Sequence, residues 1–231
     1  MKTIGLLGGM SWESSLEYYR LINQIVRDRL GGLHSAKCIM YSVEFAEIEA
    51  YQHRGEWDKA AQVLIHAAQA LERAGADCLL ICTNTMHLLA PQVQAAIDIP
   101  LLHIADATAV AIKQAGLSHI GLLGTDFTMT MDFYKGRLTD QHGLYVLIPP
   151  EAPRQQVHHI IYDELCLGQI LPSSKATYQA IIADLVTAGA EGVILGCTEI
   201  GLLIKEGDTA VPIFDTTYLH AATAVDFALT P

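Results

Sequence analysis

The chain has 231 residues, which suits two domains of roughly 100–120 residues each. Apolar residues make up 51% of it, but no apolar run approaches the roughly 20 residues of a membrane span or the apolar stretch of a signal peptide, so we expect a cytoplasmic protein with no membrane partner. The net charge of −11, without a cluster of Lys and Arg, argues against a nucleic-acid partner.

The predicted elements alternate between short apolar strands and amphipathic helices. Strands are predicted, in chain order, at Ile4–Gly8, Cys38–Val43, Cys78–Ile81, Pro100–His103, Ile120–Gly124, Tyr145–Ile148, Val193–Gly196 and Pro212–Phe214. Helices are predicted at Ser14–Leu30, Trp57–Ala74, Ala105–Ala115, Ser174–Ala188 and Thr216–Leu229. Continuous apolar strands between helices are typical of parallel sheets that are covered on both faces. The sequence therefore predicts an α/β fold with two four-stranded, mainly parallel sheets flanked by helices.

The second half of the sequence repeats the first. TIGLLGG at 3–9 matches HIGLLGT at 119–125, AGADCLLICT at 74–83 matches AGAEGVILGC at 188–197, and DIPLLHIAD at 98–106 matches AVPIFDTT at 210–217. Three collinear matches indicate an internal duplication and two pseudo-symmetric domains. Because the helix after the last strand of each half could cross to the other half, we predict one domain of 1–104 plus 216–231 and a second of 105–215.

The duplication aligns two short polar tips that follow apolar strands. Thr83 in CTNT corresponds to Cys197 in GCTE. Ligands of open α/β sheets bind beyond the carboxyl ends of the strands, so we expect both tips to line one cleft between the two domains.

Cys197 is the predicted nucleophile or general base. It ends a strand just before a predicted helix N-terminus, where backbone N–H groups are expected to lower the thiol pKa from about 8.5. The hydroxyl of Thr198 and the carboxylate of Glu199 follow directly.

The first tip and two loops supply the predicted ligand contacts. Asn84 and Thr85 offer donors and acceptors that suit a carboxylate or an amino group, whereas strand alternation turns Cys82 towards the core. LLGGMSWES has glycines between a strand and a helix but lacks the GxGxxG pattern and the phosphate-loop lysine, so it does not favour dinucleotide binding. Its Met10 and Ser11, with Thr125 at the matching place in the second half, are read as lining a small-molecule pocket.

Metal and disulfide chemistry are not predicted. The histidines fall at no metal-ligand spacing, and there is no HExxH motif or paired CxxC motif. His87 is either a partner of the site or a capping group. An odd number of cysteines without disulfide-framework spacing indicates reduced thiols, at Cys38, Cys78, Cys82, Cys166 and Cys197.

GLLGGMSWESS, CTNTMH and GCTEI together make the chain similar, over essentially its full length, to the aspartate/glutamate racemases. This resemblance implies a cofactor-independent, and so PLP-independent, amino-acid racemase that commonly forms homodimers. It also implies an active site between two domains, where one cysteine from each acts on opposite faces of the substrate α-carbon.

The resemblance assigns roles to individual residues. Cys197 matches the second family cysteine, while Thr83 stands where the first is expected. The implied substrate contacts are Met10, Ser11, Asn84, Thr85, Thr125, Thr198 and Glu199, with looser matches for Gln52, in a loop after the second strand, and for Glu164. Arg54, in the same loop as Gln52, could pair with an acidic substrate side chain.

Threonine at position 83 makes the expected chemistry unequal in its two directions. In the family that the chain resembles, the second cysteine takes the α-proton of the L-enantiomer, which implies this role for Cys197. A hydroxyl is a poor acid and base, so deprotonation from the Thr83 side should be much slower. We therefore expect a racemase of aspartate or glutamate, or both, that favours the L-enantiomer.

Two alternatives remain. One keeps the scaffold as a related cysteine-dependent isomerase or decarboxylase of small carboxylic acids. The other is a two-lobed amino-acid sensor without catalysis.

Overall fold

The protein, described over residues 1–230 by a computed structural model, divides into two compact units. The first holds residues 1–104 and the C-terminal stretch from His220, and the second holds Ala105–Leu219. The second unit therefore runs beyond the boundary predicted at residue 215, because it keeps the first turn of the last helix, Thr216–Leu229.

Strands and helices alternate along almost the whole chain. The strands are β1 Ile4–Gly8, β2 Cys38–Ser42, β3 Cys78–Ile81, β4 His119–Gly124, β5 Tyr145–Leu147, β6 Gly192–Gly196 and β7 Ile213–Asp215. The α-helices are α1 Trp12–Leu30, α2 Phe45–Arg54, α3 Trp57–Arg73, α4 Ala90–Gln94, α5 Ile104–Gln114, α6 Asp126–Thr130, α7 Asp132–Asp140, α8 Glu151–Asp163, α9 Pro172–Thr187, α10 Ile200–Leu203 and α11 Thr216–Leu229. Two short 3₁₀ helices occupy Thr85–Leu89 and Leu165–Leu167.

Both sheets are parallel, and their strand orders correspond. The first sheet runs β2-β1-β3 and the second β5-β4-β6-β7, so the first strand of each unit pairs with the same two neighbours. The register corresponds as well: Ile4 lies opposite Cys78 in the first sheet, and Ile120 lies opposite Gly192 in the second. These pairs are the ones that the sequence repeat aligns.

The predicted fourth strand of the first sheet is reduced to one bridge, between Leu79 and Leu101. The Leu79 N–H donates to the Pro100 carbonyl at 2.9 Å and the Leu102 N–H donates to the Leu79 carbonyl at 3.0 Å, but Pro100 has no N–H with which to extend the ladder backwards. Helix α5 begins at Ile104, which leaves no room for a longer ladder. The first sheet therefore has three strands and the second has four, rather than four each.

Strands β1 and β3 of the first sheet are buried on both faces, as their apolar sequences predict. Alternate residues of its strands enter two separate cores: Leu7, Leu79 and Ile81 pack in one, and Leu6, Leu80 and Cys82 pack in the other. Helices α2, α3 and α4 cover the first core. The second is covered by α1 and by the part of α11 that belongs to this unit.

In the second unit, α5 and α7 are joined by charged groups. The guanidinium of Arg137 donates two hydrogen bonds of 2.7 Å to the Asp106 carboxylate, which also contacts His142 at 2.8 Å. None of the helices within residues 1–230 combines the length and the apolar character that crossing a membrane requires.

Candidate active site

The first tip begins where β3 ends. Cys82 is fully buried in the core, and burial raises the pKa of its thiol far above the ordinary range, so the sequence interpretation of Cys82 as a core thiol is confirmed. Thr83 is partly exposed, although the residues on both sides of it are buried. Its N–H donates to the carbonyl of Ile81 at 2.9 Å, and the Cys82 carbonyl accepts the Ser14 hydroxyl at 2.6 Å.

Asn84 and Thr85 continue the first tip as buried polar residues. They expose only 2% and 5% of their surface and lead into the 3₁₀ helix Thr85–Leu89. The Asn84 side chain makes no capping hydrogen bond to that helix, so capping does not account for it.

His87 joins the first tip to the start of α5. Its ring is 1% exposed, with Nδ1 lying 2.8 Å from the carbonyl oxygen of Thr83. On the other side of the ring, Nε2 lies 3.3 Å from the backbone N of Ile104. His87 is therefore a partner of the tip and, through Nε2, also caps the first N–H of α5.

The second tip follows β6 and has the same exposure pattern: Cys197 is partly exposed between buried neighbours. The Cys197 thiol donates to Oε2 of Glu199 at 2.9 Å, and the same oxygen accepts the Thr198 hydroxyl at 2.5 Å. Glu199 is 4% exposed and Thr198 is 7% exposed. One buried carboxylate oxygen thus accepts hydrogen bonds from both a thiol and an alcohol at the second tip.

The predicted lowering of the Cys197 pKa is wrong for this arrangement. Desolvation is the largest influence, and with the negative charge of Glu199 it raises the pKa of Cys197 well above its ordinary value. A backbone N–H at Glu199 acts in the predicted direction, but its effect is smaller. The resting state of Cys197 is therefore a protonated thiol hydrogen-bonded to a carboxylate.

The surroundings of Cys197 contain two side chains that the sequence interpretation missed. Tyr178 is fully buried on α9 and donates to the Val157 carbonyl at 3.3 Å. Burial raises the pKa of Tyr178 well above its ordinary value, and the charges of Cys197, Glu164 and Cys166 add to the rise. Cys166 lies two positions after Glu164, in the segment with a loose family match, and this was the available signal. The Glu164 carboxylate itself accepts a hydrogen bond from Ser174.

The loop after β1 is shaped by close backbone approach. Gly9 has φ of +93°, and a Cβ there would lie 2.2 Å from the Val43 carbonyl oxygen. The next residue, Met10, is 4% exposed and packs in the first core. Ser11 is the N-cap of α1 and accepts the Ser14 N–H at 3.3 Å.

Thr125 begins α6 in the same manner. Its hydroxyl accepts the Thr128 N–H at 3.2 Å and lies 3.1 Å from the Thr128 hydroxyl. Ser11 and Thr125, predicted as pocket residues, thus both cap the helix that follows the first strand of their unit.

The predicted loop around Gln52 is helical. Gln52 lies inside α2, because this helix continues to Arg54 and is capped by Gly55. The Gln52 side chain is 4% exposed and donates from Nε2 to the Met86 sulfur at 2.8 Å. Arg54 points a largely exposed side chain at Glu56, with 2.9 Å between Nη2 and Oε2. Arg54 is therefore engaged with a carboxylate of its own chain.

Comparison with known proteins identifies the family to which the chain belongs. The family model described as "Asp/Glu/Hydantoin racemase" matches residues 7–224. The chain belongs to the Asp/Glu/Hydantoin racemase family. Homologues in this racemase family carry the names of aspartate, glutamate and amino-acid racemases, which are isomerases.

Three relatives span almost the whole chain. A Yersinia pestis protein provisionally named an Asp/Glu racemase has a crystal structure with 55% identity and a TM-score of 0.93, over 100% of both chains. An aspartate racemase homologue from Pyrococcus horikoshii OT3 has 37% identity and a TM-score of 0.87, also over 100% of both chains. The "Broad specificity amino-acid racemase RacX" of Bacillus subtilis is 21% identical over 96% of each chain. The racemase scaffold therefore extends through both units.

Proposed function

We propose that the protein is a PLP-independent racemase of aspartate, glutamate or both, and that it exchanges the α-proton of the L-enantiomer faster than that of the D-enantiomer. The observation that carries the proposal is the thiol of Cys197 hydrogen-bonded at 2.9 Å to the buried carboxylate of Glu199. Membership of the racemase family supports the reaction type.

Proton removal from the L-enantiomer begins at Cys197. Burial and the Glu199 charge keep its pKa high, so the thiol needs a base before it can act. Glu199 accepts the thiol proton, and the resulting thiolate takes the α-proton and becomes a thiol again. The product of this step is a carbanion at the α-carbon, with the proton on sulfur.

Reprotonation from the other face is assigned to Thr83. Its hydroxyl donates a proton to the carbanion, which is a strong base, and the alkoxide then regains a proton from water. The reverse step is slow because a threonine hydroxyl must lose its proton to water before it can act as a base. The remaining predicted residues, including Asn84 and Thr198, would hold the carboxylate and amino group of the substrate.

The expected asymmetry obeys a thermodynamic limit. The two enantiomers have equal free energy in water, so kcat/KM for racemisation must be the same in both directions. The difference appears instead as α-proton exchange, because most carbanions return to the L-form through Cys197. We expect exchange of L-substrate to exceed exchange of D-substrate by a factor on the order of 10².

The test is solvent-deuterium exchange at the α-carbon, followed by NMR for L- and D-aspartate and for L- and D-glutamate. Cys197→Ser should abolish exchange, and Thr83→Cys should raise exchange of the D-form towards that of the L-form. Equal exchange of both enantiomers by the natural protein would refute the assigned asymmetry. Binding without exchange would instead favour a sensor, and loss of carbon dioxide or isomerisation of a dicarboxylate would favour the related reactions.

A further inference from the structure

The protonation state of the buried His87 ring is fixed by its two backbone contacts. A backbone N–H can only donate, so Nε2 must accept from Ile104, at 3.3 Å. The proton of the neutral ring is then on Nδ1, which donates to the Thr83 carbonyl at 2.8 Å. A ring protonated on both nitrogens could not accept from Ile104, and a ring with its proton on Nε2 could not donate to Thr83.

The two hydrogen bonds of the His87 ring form a bridge between the Thr83 carbonyl and the Ile104 N–H. This bridge restrains the backbone at Thr83 together with the hydrogen bonds that precede it. The Cys82 carbonyl is bound by Ser14, and the Thr83 N–H is bound by Ile81. With its own carbonyl bound by His87, Thr83 has φ and ψ fixed by hydrogen bonds on each side. A β-branched side chain has few allowed χ1 rotamers at a given backbone conformation, so the direction of the hydroxyl follows from the backbone.

The far end of the bridge is itself anchored. Two positions before Ile104, the Leu102 carbonyl contacts Nε2 of His220 at 2.7 Å, and Nδ1 of His220 contacts the Tyr18 hydroxyl at 2.8 Å. The ring of His87 packs edge-on against that of His220, with 5.6 Å between their centroids. His87 therefore links the tip to a segment that a second buried histidine holds in place.

Among the described residues, the second tip lacks a side-chain bridge equivalent to that of His87. The position that the duplication aligns with His87 is Gly201, and the Cys197 carbonyl accepts the Ile200 N–H within its own turn. The bridge thus belongs only to the tip with an alcohol. An alcohol is the weaker acid of the two groups, and proton transfer from it depends more on accurate placement, since a misplacement of about 1 Å can cost on the order of 10² in rate.

We propose that His87 is a positioning residue that aims the Thr83 hydroxyl for reprotonation of the substrate. The proposal rests on the function assigned above to Thr83. It separates two rates: α-proton exchange of L-substrate through Cys197 is independent of the bridge, whereas racemisation, which needs Thr83, depends on it. The quantity that reports on His87 is therefore the ratio of racemisation to L-substrate exchange.

Two near-isosteric variants divide the bridge into its halves. In His87→Asn the amide nitrogen takes the place of Nδ1 and keeps the donor to Thr83. In His87→Gln the amide oxygen takes the place of Nε2 and keeps the acceptor for Ile104, while the donor to Thr83 is lost. His66→Asn is the control, because His66 is exposed on α3 and its ring contacts Tyr41.

We expect the ratio to fall on the order of tenfold or more in His87→Gln, and by less than about threefold in His87→Asn and His66→Asn, with L-substrate exchange near that of the natural protein in all three. Nitrogen-15 NMR of the natural protein should show the His87 ring neutral with its proton on Nδ1.

Several outcomes would overturn the proposal. An unchanged ratio in His87→Gln refutes positioning, as does an equal fall in both His87 variants with exchange and thermal stability falling in parallel. A His87 ring that carries its proton on Nε2, or on both nitrogens, refutes the bridge itself without using any activity. Absence of exchange in the natural protein, with the Nδ1 proton present, would instead refute the proposed function and with it the role given to His87.

Discussion

Replacing Glu199 by Gln separates the charge of this residue from its shape. Oε2 of Glu199 accepts both the Cys197 thiol and the Thr198 hydroxyl while the residue is only 4% exposed. Glutamine fits the same space, and its amide oxygen can accept both hydrogen bonds. It cannot, however, accept and carry the thiol proton.

The magnitude follows from the role of the carboxylate as a base. Losing a positioned general base typically lowers the rate by 10²–10⁴, which is about 2.7–5.4 kcal/mol at 1.36 kcal/mol for each factor of ten. We therefore expect exchange of the L-substrate α-proton by Glu199→Gln to fall by that factor. The free energy of unfolding should stay the same or rise, because the variant removes the desolvation cost of a buried charge while its amide oxygen can keep both hydrogen bonds.

The pKa of Cys197 is a second quantity that Glu199→Gln should change. The Glu199 charge helps to raise this pKa, so its removal should lower the pKa towards the ordinary thiol value while burial still holds it above. Alkylation of Cys197 by iodoacetamide, followed by mass spectrometry against pH, should therefore begin at a lower pH in Glu199→Gln. Glu206→Gln, at an exposed carboxylate of the same unit, should change neither quantity.

Two results would refute this reasoning. Exchange at the natural rate in Glu199→Gln would show that the carboxylate does not take the thiol proton. A shift of Cys197 alkylation to higher pH would show that the carboxylate stabilises the thiolate, contrary to the sign that like charges require.

Two further predictions concern stability. Gly9→Ala should lower the free energy of unfolding in urea by about 2 kcal/mol or more, because φ is +93° and the new Cβ would meet the Val43 carbonyl at 2.2 Å. The control Gly143→Ala, with φ of +69° in open space, should lower it by only about 1 kcal/mol. Equal losses in the two variants would contradict the clash at Gly9. Burial raises the pKa of Cys78 to about 12, so the unfolded chain loses this proton first as the pH rises and stability should fall by up to about 1.4 kcal/mol per pH unit above roughly pH 9. Cys78→Ala should make that alkaline slope less steep by this amount, measured by urea unfolding at each pH, and an unchanged slope would count against the burial of this thiol.

Most of the fold could be predicted because the pattern of apolar residues is local. Strands β1 and β3 begin and end where the apolar runs do, and the repeat aligns residues that occupy corresponding registers in the two sheets. The predicted fourth strand of the first sheet is wrong because Pro100 has no N–H to donate and helix α5 already begins at Ile104, so only one bridge forms. The start of α5 depends on contacts such as that of the Ile104 N–H with the His87 ring, which a pattern of apolar and polar residues does not show.

The residue types of the candidate site could be predicted from the sequence, but their protonation, burial and local secondary structure were harder to predict. A cysteine after a strand suggested a lowered pKa, but burial and the charge of Glu199 raise the pKa of Cys197, and burial depends on which residues pack around the tip after folding. Gln52 looked like a loop residue because YQHRGEW carries charges and a glycine, yet Gly55 ends a helix there. The ring contacts of His87 join positions 17 residues apart, which no local pattern encodes.

The sequence by itself determined the alternation of strands and helices, the duplication, and the alcohol and thiol at corresponding tips, because these features depend on residue type and spacing. Only the tertiary structure decided that the Cys197 thiol rests protonated on Glu199, that the first sheet stops at three strands, and that the His87 ring lies between the Thr83 carbonyl and the Ile104 N–H. Each of these depends on which groups meet after folding, since burial and hydrogen-bond partners set both protonation and pairing.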